Sequence, residues 1–125
     1  MAPLNKFMNK KQNIYIAFTC LYMLLLLGNS FQTGASFGHV SSIRQVAHNL
    51  LHVPAYFLLA LLLFYSFGSR FLVWAFIAAS VYGAFNECIQ SFIPGRTASI
   101  MDMFLNAIGA GIAVFFLGKQ RISNR

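Results

Sequence analysis

The sequence predicts an all-α integral membrane bundle of four transmembrane helices, with short loops and an amphipathic segment before the second helix. Three observations predict it. Of 125 residues, 58% are hydrophobic and only 9% charged, against about 25% charged in an ordinary soluble domain. The apolar residues gather into four runs, 14–27, 50–67, 71–93 and 100–117. Cations flank those runs instead of spreading over them: Lys6, Lys10 and Lys11 precede the first, and Lys119, Arg121 and Arg125 follow the last. A soluble chain of this size would expose apolar patches far beyond the few hundred Å² that monomers tolerate. Lipid is therefore the solvent for much of the surface, and one domain, 1–125, takes up the whole length.

A helix needs about 20 residues to cross the hydrocarbon core. The first run is short and must borrow Asn13 and residues 28–31. Its lysines and apolar stretch resemble a signal peptide, but no Ala-x-Ala site follows and three more runs come after it, so it reads as a retained helix. The second run borrows from the residues before Leu50. In the connection 32–49, rich in Gly, Ser and Gln, Ile43, Val46, Ala47, Leu50 and Leu51 recur at helical spacing. Arg44, Gln45, His48, Asn49 and His52 share the opposite face, which predicts an amphipathic turn or two on the outer surface. Pro54 then either kinks this helix or marks the start of the span. The third and fourth runs fit a span directly. In lipid every backbone group is satisfied within the segment, so runs of this length are helices. Gly109, Gly111, Ala107, Ala110 and Ala113 make one side of the fourth run small, which permits close backbone approach. Cys20 and Cys88 both fall inside apolar runs and read as small buried hydrophobes, not as a disulfide.

Lysine and arginine set the orientation. With the N-terminus inside, the cytoplasmic side holds Lys6, Lys10, Lys11, Arg70, Lys119, Arg121 and Arg125, and the outside holds only Arg44 and Arg96. Both termini are thus expected in the cytoplasm of a multi-pass bacterial inner-membrane protein. The net charge of +7 is this cationic flanking, matched to anionic lipid headgroups. No basic stripe with interleaved aromatics remains for a phosphate backbone, so nucleic acid is excluded as a partner and membrane lipids are expected.

The only two acids, Glu87 and Asp102, flank one tight turn, Pro94-Gly95-Arg96. Glu87 has Gln90 one turn later on its face. Asp102 lies in the first turn of the fourth run, followed by Asn106 and Gly109 at i+4 and i+7. His48 and His52 stand where the second run begins, with Tyr56 one turn further. On the topology above, all of these fall on the outer side. A carboxylate inside a span costs about 2.5–3.5 kcal/mol on insertion scales, which makes Glu87 a functional candidate; its structural alternative is helix-packing glue, neutral or paired with Arg96. Asp102 also fits a capping box with Ser99, and capping is compatible with function. Arg96 is the cation beside both acids, or else a rim charge at the headgroups. Asn106 is expected to bond across helices, and Tyr56 fits an interfacial aromatic belt equally well. His48 and His52 at i and i+4 have the spacing of metal ligands, with Glu87 or Asp102 as a third, but the spacing is weak and no metal or cofactor is expected.

Residues 82–113, YGAFNECIQSFIPGRTASIMDMFLNAIGAGIA, carry Glu87-x-x-Gln90, then Pro94-Gly95-Arg96, then Asp102-x-x-x-Asn106-x-x-Gly109; upstream, His52 and Tyr56 lie in HVPAYFLLALLL. This combination resembles the VanZ-like family of small membrane proteins, over roughly residues 48–115, with the first span and the tails adding nothing. Two positions depart from the family pattern. His48 and Asn49 stand where the family often has an Asp-Lys pair, and Ala113 replaces a second glycine. The family is named for a member associated with teicoplanin resistance, so the resemblance implies a membrane bundle in a cell-envelope setting and not a defined reaction.

Two function classes follow. One is a small enzyme or binding site acting at the outer leaflet on an envelope lipid or a lipid-linked cell-wall precursor. There Glu87 and His52 exchange protons, Arg96 holds a phosphate or carboxylate, and Asp102 takes part in the same catalytic group; Tyr56, Gln90, Ser99 and Asn106 bind or orient. No nucleophile elbow, phosphate loop or metal signature accompanies them. The other class is a non-enzymatic envelope or antibiotic-resistance factor whose polar cluster is structural. A proton or ion relay is the weakest reading, because the cytoplasmic halves of the first two runs carry almost no polar residues.

Overall fold

A computed structural model describes residues 9–31, 49–96 and 98–124. They form four helices: α1 (Lys10–Ser30), α2 (His52–Phe67), α3 (Leu72–Gln90), which follows a single 3-10 turn at Ser69–Phe71, and α4 (Ile100–Ser123). No strand occurs among the described residues. Most of the predicted amphipathic segment, with His48 and Arg44, lies outside them; its last residues, Asn49 and Leu50, are helical and Leu51 is a turn.

α1 begins further back than its apolar run because Asn9 and Gln12 close a capping box: Asn9 accepts from the Lys11 N–H at 3.4 Å, and Gln12 accepts from the Asn9 N–H at 3.2 Å. That satisfies two orphan donors and starts the helix among lysines, where the dipole alone would oppose it. α2 starts at His52, so Pro54 sits in its first turn and marks the start without kinking it. It ends where Gly68 turns to φ 91, and with 16 residues it covers about 24 Å at 1.5 Å per residue. Three segments, of 21, 22 and 24 residues, are long and apolar enough to cross a membrane; α2 is the shorter apolar helix among them. The predicted second span is thus trimmed at its start. α3 stops three residues before its apolar run does, and α4 continues past its run to Ser123.

α2 is the central helix. Its buried residues Tyr56, Leu59, Ala60 and Leu63 form the core with Ala75 and Ala79 of α3 and Ala110 and Ala113 of α4. Small side chains let these backbones approach closely, the mode of helix packing available in lipid. At Gly109 a Cβ would overlap the Val53 carbonyl oxygen, and at Gly83 it would lie 2.8 Å from Asn106 Nδ2 and 3.0 Å from the Tyr56 ring. Of the predicted small side of α4, Gly109, Ala110 and Ala113 are buried, whereas Ala107 and Gly111 are half-buried. Bulky residues such as Leu24, Trp74 and Phe115 point outward, more than 60% exposed, as a lipid-facing surface requires. Cys20 and Cys88 are also exposed and unpaired. This corrects the expectation of burial: in lipid, an apolar run has an apolar outside as well as an inside.

α1 docks on α2 through a buried hydroxyl pair, Thr19 Oγ1 and Ser66 Oγ, 2.9 Å apart. Interhelical hydrogen bonds in membranes average about 0.6 kcal/mol. Thr19→Val is therefore expected to lower stability by about that amount, read from reversible unfolding in mixed detergent micelles. At the same end of the bundle Arg121 donates to the Ser69 carbonyl at 3.1 Å. The ends of α1, α2, α3 and α4 nearest Lys10, Gly68, Arg70 and Arg121 thus share one rim, and Ser30, His52, Gln90 and Ser99 share the other.

Candidate functional site

The second rim is built by four helix ends. Pro94 and Gly95 occupy the central positions of a tight turn, with the Arg96 N–H donating to the Ile93 carbonyl at 3.1 Å. Gly95 at φ 82 meets the requirement of a type II turn for a left-handed residue at its third position. This turn brings the start of α4 back against the end of α3.

Glu87 and Ser99 then join the two helices. Ser99 is the N-cap of α4, and its hydroxyl accepts from the Asp102 N–H at 3.2 Å. In a complete capping box the Asp102 side chain would accept from the Ser99 N–H. Instead Glu87 Oε2 takes that N–H, at 3.2 Å, from the neighbouring helix. The predicted capping box is therefore half formed within α4, and the Asp102 carboxylate is released from capping. Glu87 is 0% exposed and Asp102 9%. Glu87 Oε1 and Asp102 Oδ1 are buried without a hydrogen-bond partner among the described residues.

His52 arrives from the start of α2. Its Nδ1 lies 2.8 Å from Asn106 Oδ1, so Asn106 bonds across helices as its position in the sequence predicts. A His52 ring nitrogen and one oxygen each of Glu87 and Asp102 lie within 4.8 Å of one another. His52, Glu87, Asp102 and Asn106, predicted from separate runs, thus converge at one place. His48, the other half of the predicted i, i+4 pair, lies outside the described residues.

The remaining predicted residues surround this cluster. The Tyr56 ring lies parallel to His52, centroids 6.4 Å apart, and its hydroxyl accepts from Asn86 Nδ2 at 2.9 Å. It is buried at 3% exposure, inside the bundle and not in an aromatic belt. Gln90 donates to Ser30 Oγ at 3.3 Å. Arg96 donates to the carbonyls of Asn29 and Ser30, at 3.4 and 3.2 Å. It caps α1, where orphan carbonyls and the negative dipole end attract a cation. No ion pair links it to Glu87 or Asp102 among the described residues.

A cleft of about 120 Å³ opens beside the cluster, lined by the polar side chains of His52, Tyr56, Asn86 and Gln90 together with the apolar ones of Leu26 and Ala55. Asn86, Gly83 and Ser30 belong to the site and were not singled out by sequence. Asn86 and Gly83 carry a signal, since 83, 86, 87 and 90 share one face of α3. Ser30 carries none beyond its position at the end of the first run. Tyr56→Phe is expected to leave the buried Asn86 amide unpaired and cost about 1–3 kcal/mol. A thermal melt followed by gel filtration would read that as a lower midpoint.

These features define a helical membrane protein with a cluster of half-buried His52 and buried Glu87, Asp102 and Asn106 under one rim. Within that class the chain belongs to the VanZ/LLP1 family, whose profile matches residues 4–118. The match takes in α1 as well as the motif-bearing stretch 48–115, so the resemblance extends beyond the part that first revealed it. Comparisons with curated proteins and with solved structures gave no match.

Proposed function

We propose that the protein acts at the outer face of the bacterial cytoplasmic membrane, with both termini cytoplasmic, on or near an envelope lipid or a lipid-linked cell-wall precursor. The observation that carries this reading is the placement of the buried Glu87, Asn86 and Asn106 beside a cleft lined by both polar and apolar side chains. Amphiphiles present the matching surfaces, a polar head joined to hydrocarbon. Orientation is supported by charge: among the described residues Lys10, Lys11, Arg70, Lys119 and Arg121 lie at the rim away from the cluster, and Arg96 lies at the cluster's rim. Positive-inside bias then puts the cluster outside. His52 and Glu87 are the proton-exchanging candidates, Asp102 and Asn106 hold their geometry, and Tyr56, Asn86 and Gln90 line the ligand's path.

A second reading, a non-enzymatic envelope or resistance factor, is favoured by one observation: the Glu87–Ser99 and His52–Asn106 bonds each tie two helices together. Lipid and cell-wall-precursor profiling of a deletion strain, complemented by wild type or by His52→Ala, separates the two. An accumulating species that wild type removes and a normally inserted His52→Ala variant does not remove supports the site. Unchanged profiles together with loss of the variant from the membrane would favour the structural role.

A further inference from the structure

We propose that His52, Glu87 and Asp102 bind one divalent transition-metal cation of the zinc type. Their donor atoms, one each from α2, α3 and α4, lie within 4.8 Å of one another. Bonds of about 2.0–2.2 Å place ligand atoms roughly 3–4 Å apart around such an ion. The donor atoms would have to draw together by about 1 Å to take such an ion.

Three observations point to a cation. First, two of the donors have capacity to spare in a place where unused acceptors are costly. Glu87 is fully buried, its Oε2 holds the Ser99 N–H, and its Oε1 has no partner among the described residues; Asp102 Oδ1 is in the same condition. A buried acceptor left unsatisfied costs about 1–3 kcal/mol, more if charged, and a bound cation satisfies both together. Second, the charge matches. Two carboxylates balance a divalent ion, and the nearby guanidinium of Arg96 is directed to the end of α1. Third, the histidine is held as a ligand would be. Metal-binding imidazoles characteristically donate their other ring N–H to an oxygen acceptor, which fixes tautomer and orientation. His52 Nδ1 lies 2.8 Å from Asn106 Oδ1, an oxygen placed to orient the ring in this way.

The donor set selects the metal. One imidazole with two carboxylates suits zinc and its first-row neighbours, whereas magnesium and calcium favour all-oxygen shells. Three protein ligands are also the number found in open, catalytic zinc sites, where the fourth position takes a water or a ligand oxygen. Such an oxygen would come from the cleft, since His52 lines both. The cation uses residues on which the lipid reading also rests, and with it bound His52 and Glu87 would serve as its ligands in place of exchanging protons; the two are tested by different measurements.

The test is metal binding by the full-length chain purified in detergent without chelators, stripped, and titrated with Zn²⁺ and separately with Co²⁺. The expected result is one Zn²⁺ per chain, and Co²⁺ absorption bands that Zn²⁺ abolishes. His52→Ala, Glu87→Gln and Asp102→Asn should each weaken binding at least tenfold, and Asn106→Leu by about 10–100-fold through loss of ring orientation. Ser91→Ala, exposed on the same rim, should bind as wild type does. Gel filtration reports folding for each variant; where one substitution unfolds the chain, the others decide. No stoichiometric Zn²⁺ or Co²⁺ on folded wild type, or binding that survives in all three ligand variants, overturns the proposal. A metal-free protein that still alters the lipid profile would discard the cation and keep the lipid reading; a metal-loaded protein with no lipid phenotype would do the reverse.

Discussion

Replacing Gly109 by valine is expected to remove most of the folded protein from the membrane fraction. A Cβ at this position would overlap the Val53 carbonyl oxygen and stand 3.0 Å from the Val53 carbonyl carbon and 3.1 Å from the Phe57 nitrogen. All three are main-chain atoms of α2, so no rotamer change relieves the collision. α2 and α4 must move apart, and overpacking of this kind costs about 1–3 kcal/mol, occasionally more. Backbone against backbone belongs at the upper end. The same separation draws His52, next to Val53, away from Asn106, one turn before Gly109, so the site fails with the fold. Gly111→Val is the control: its Cβ meets only Phe76 Cε2, at 3.7 Å, and should be tolerated. Fluorescence-detected gel filtration of the two variants reads the contrast, and a Gly109→Val protein that melts with wild type would show that the helices are not so closely apposed.

Glu87 should separate its two jobs when replaced in two ways. Glutamine retains a carbonyl oxygen able to accept the Ser99 N–H, whereas alanine leaves that donor without its partner at 3.2 Å. Glu87→Gln is thus expected to reach normal membrane levels and lose function, by about a hundredfold or more if the carboxylate moves a proton. Glu87→Ala should lose function and also about 1–3 kcal/mol of stability. Quantitative immunoblotting of membranes, set beside complementation of the deletion strain's lipid profile, measures both. If Glu87→Gln accumulates and complements fully, the carboxylate serves only to fasten α3 to α4.

Much of this arrangement is legible in the sequence, for physical reasons. Two acids in a chain of this composition have to be protected from lipid, and a tight Pro94-Gly95 turn leaves them few places other than beside each other. Helical periodicity does the rest for Gln90, Asn106 and Gly109. The partner of Arg96 is not legible. Its charge pointed to Glu87 and Asp102, but it donates to the carbonyls of Asn29 and Ser30, and main-chain carbonyls have no sequence signature. The contribution of α1 stays hidden as well. Tyr82 donates to the Met23 carbonyl at 2.5 Å and Gln90 to Ser30, so the helix that adds nothing to the quoted motif helps hold the site. The centrality of α2 also escapes notice, because a run that is apolar all round carries no face for a pattern to mark.

The alanine-lined core has one more consequence. From Ala110 to Leu117, about 10 Å along α4, the buried residues are hydrocarbon, met by Leu59, Ala60 and Leu63 of α2 and by Ala75 and Ala79 of α3. Five of these side chains are alanines with nothing to swing aside, and the leucines pack between them, so the helices meet closely along this layer. In effect the described helices make a stoppered cup, with the His52–Glu87–Asp102 cluster near the lip and a hydrocarbon floor beneath it.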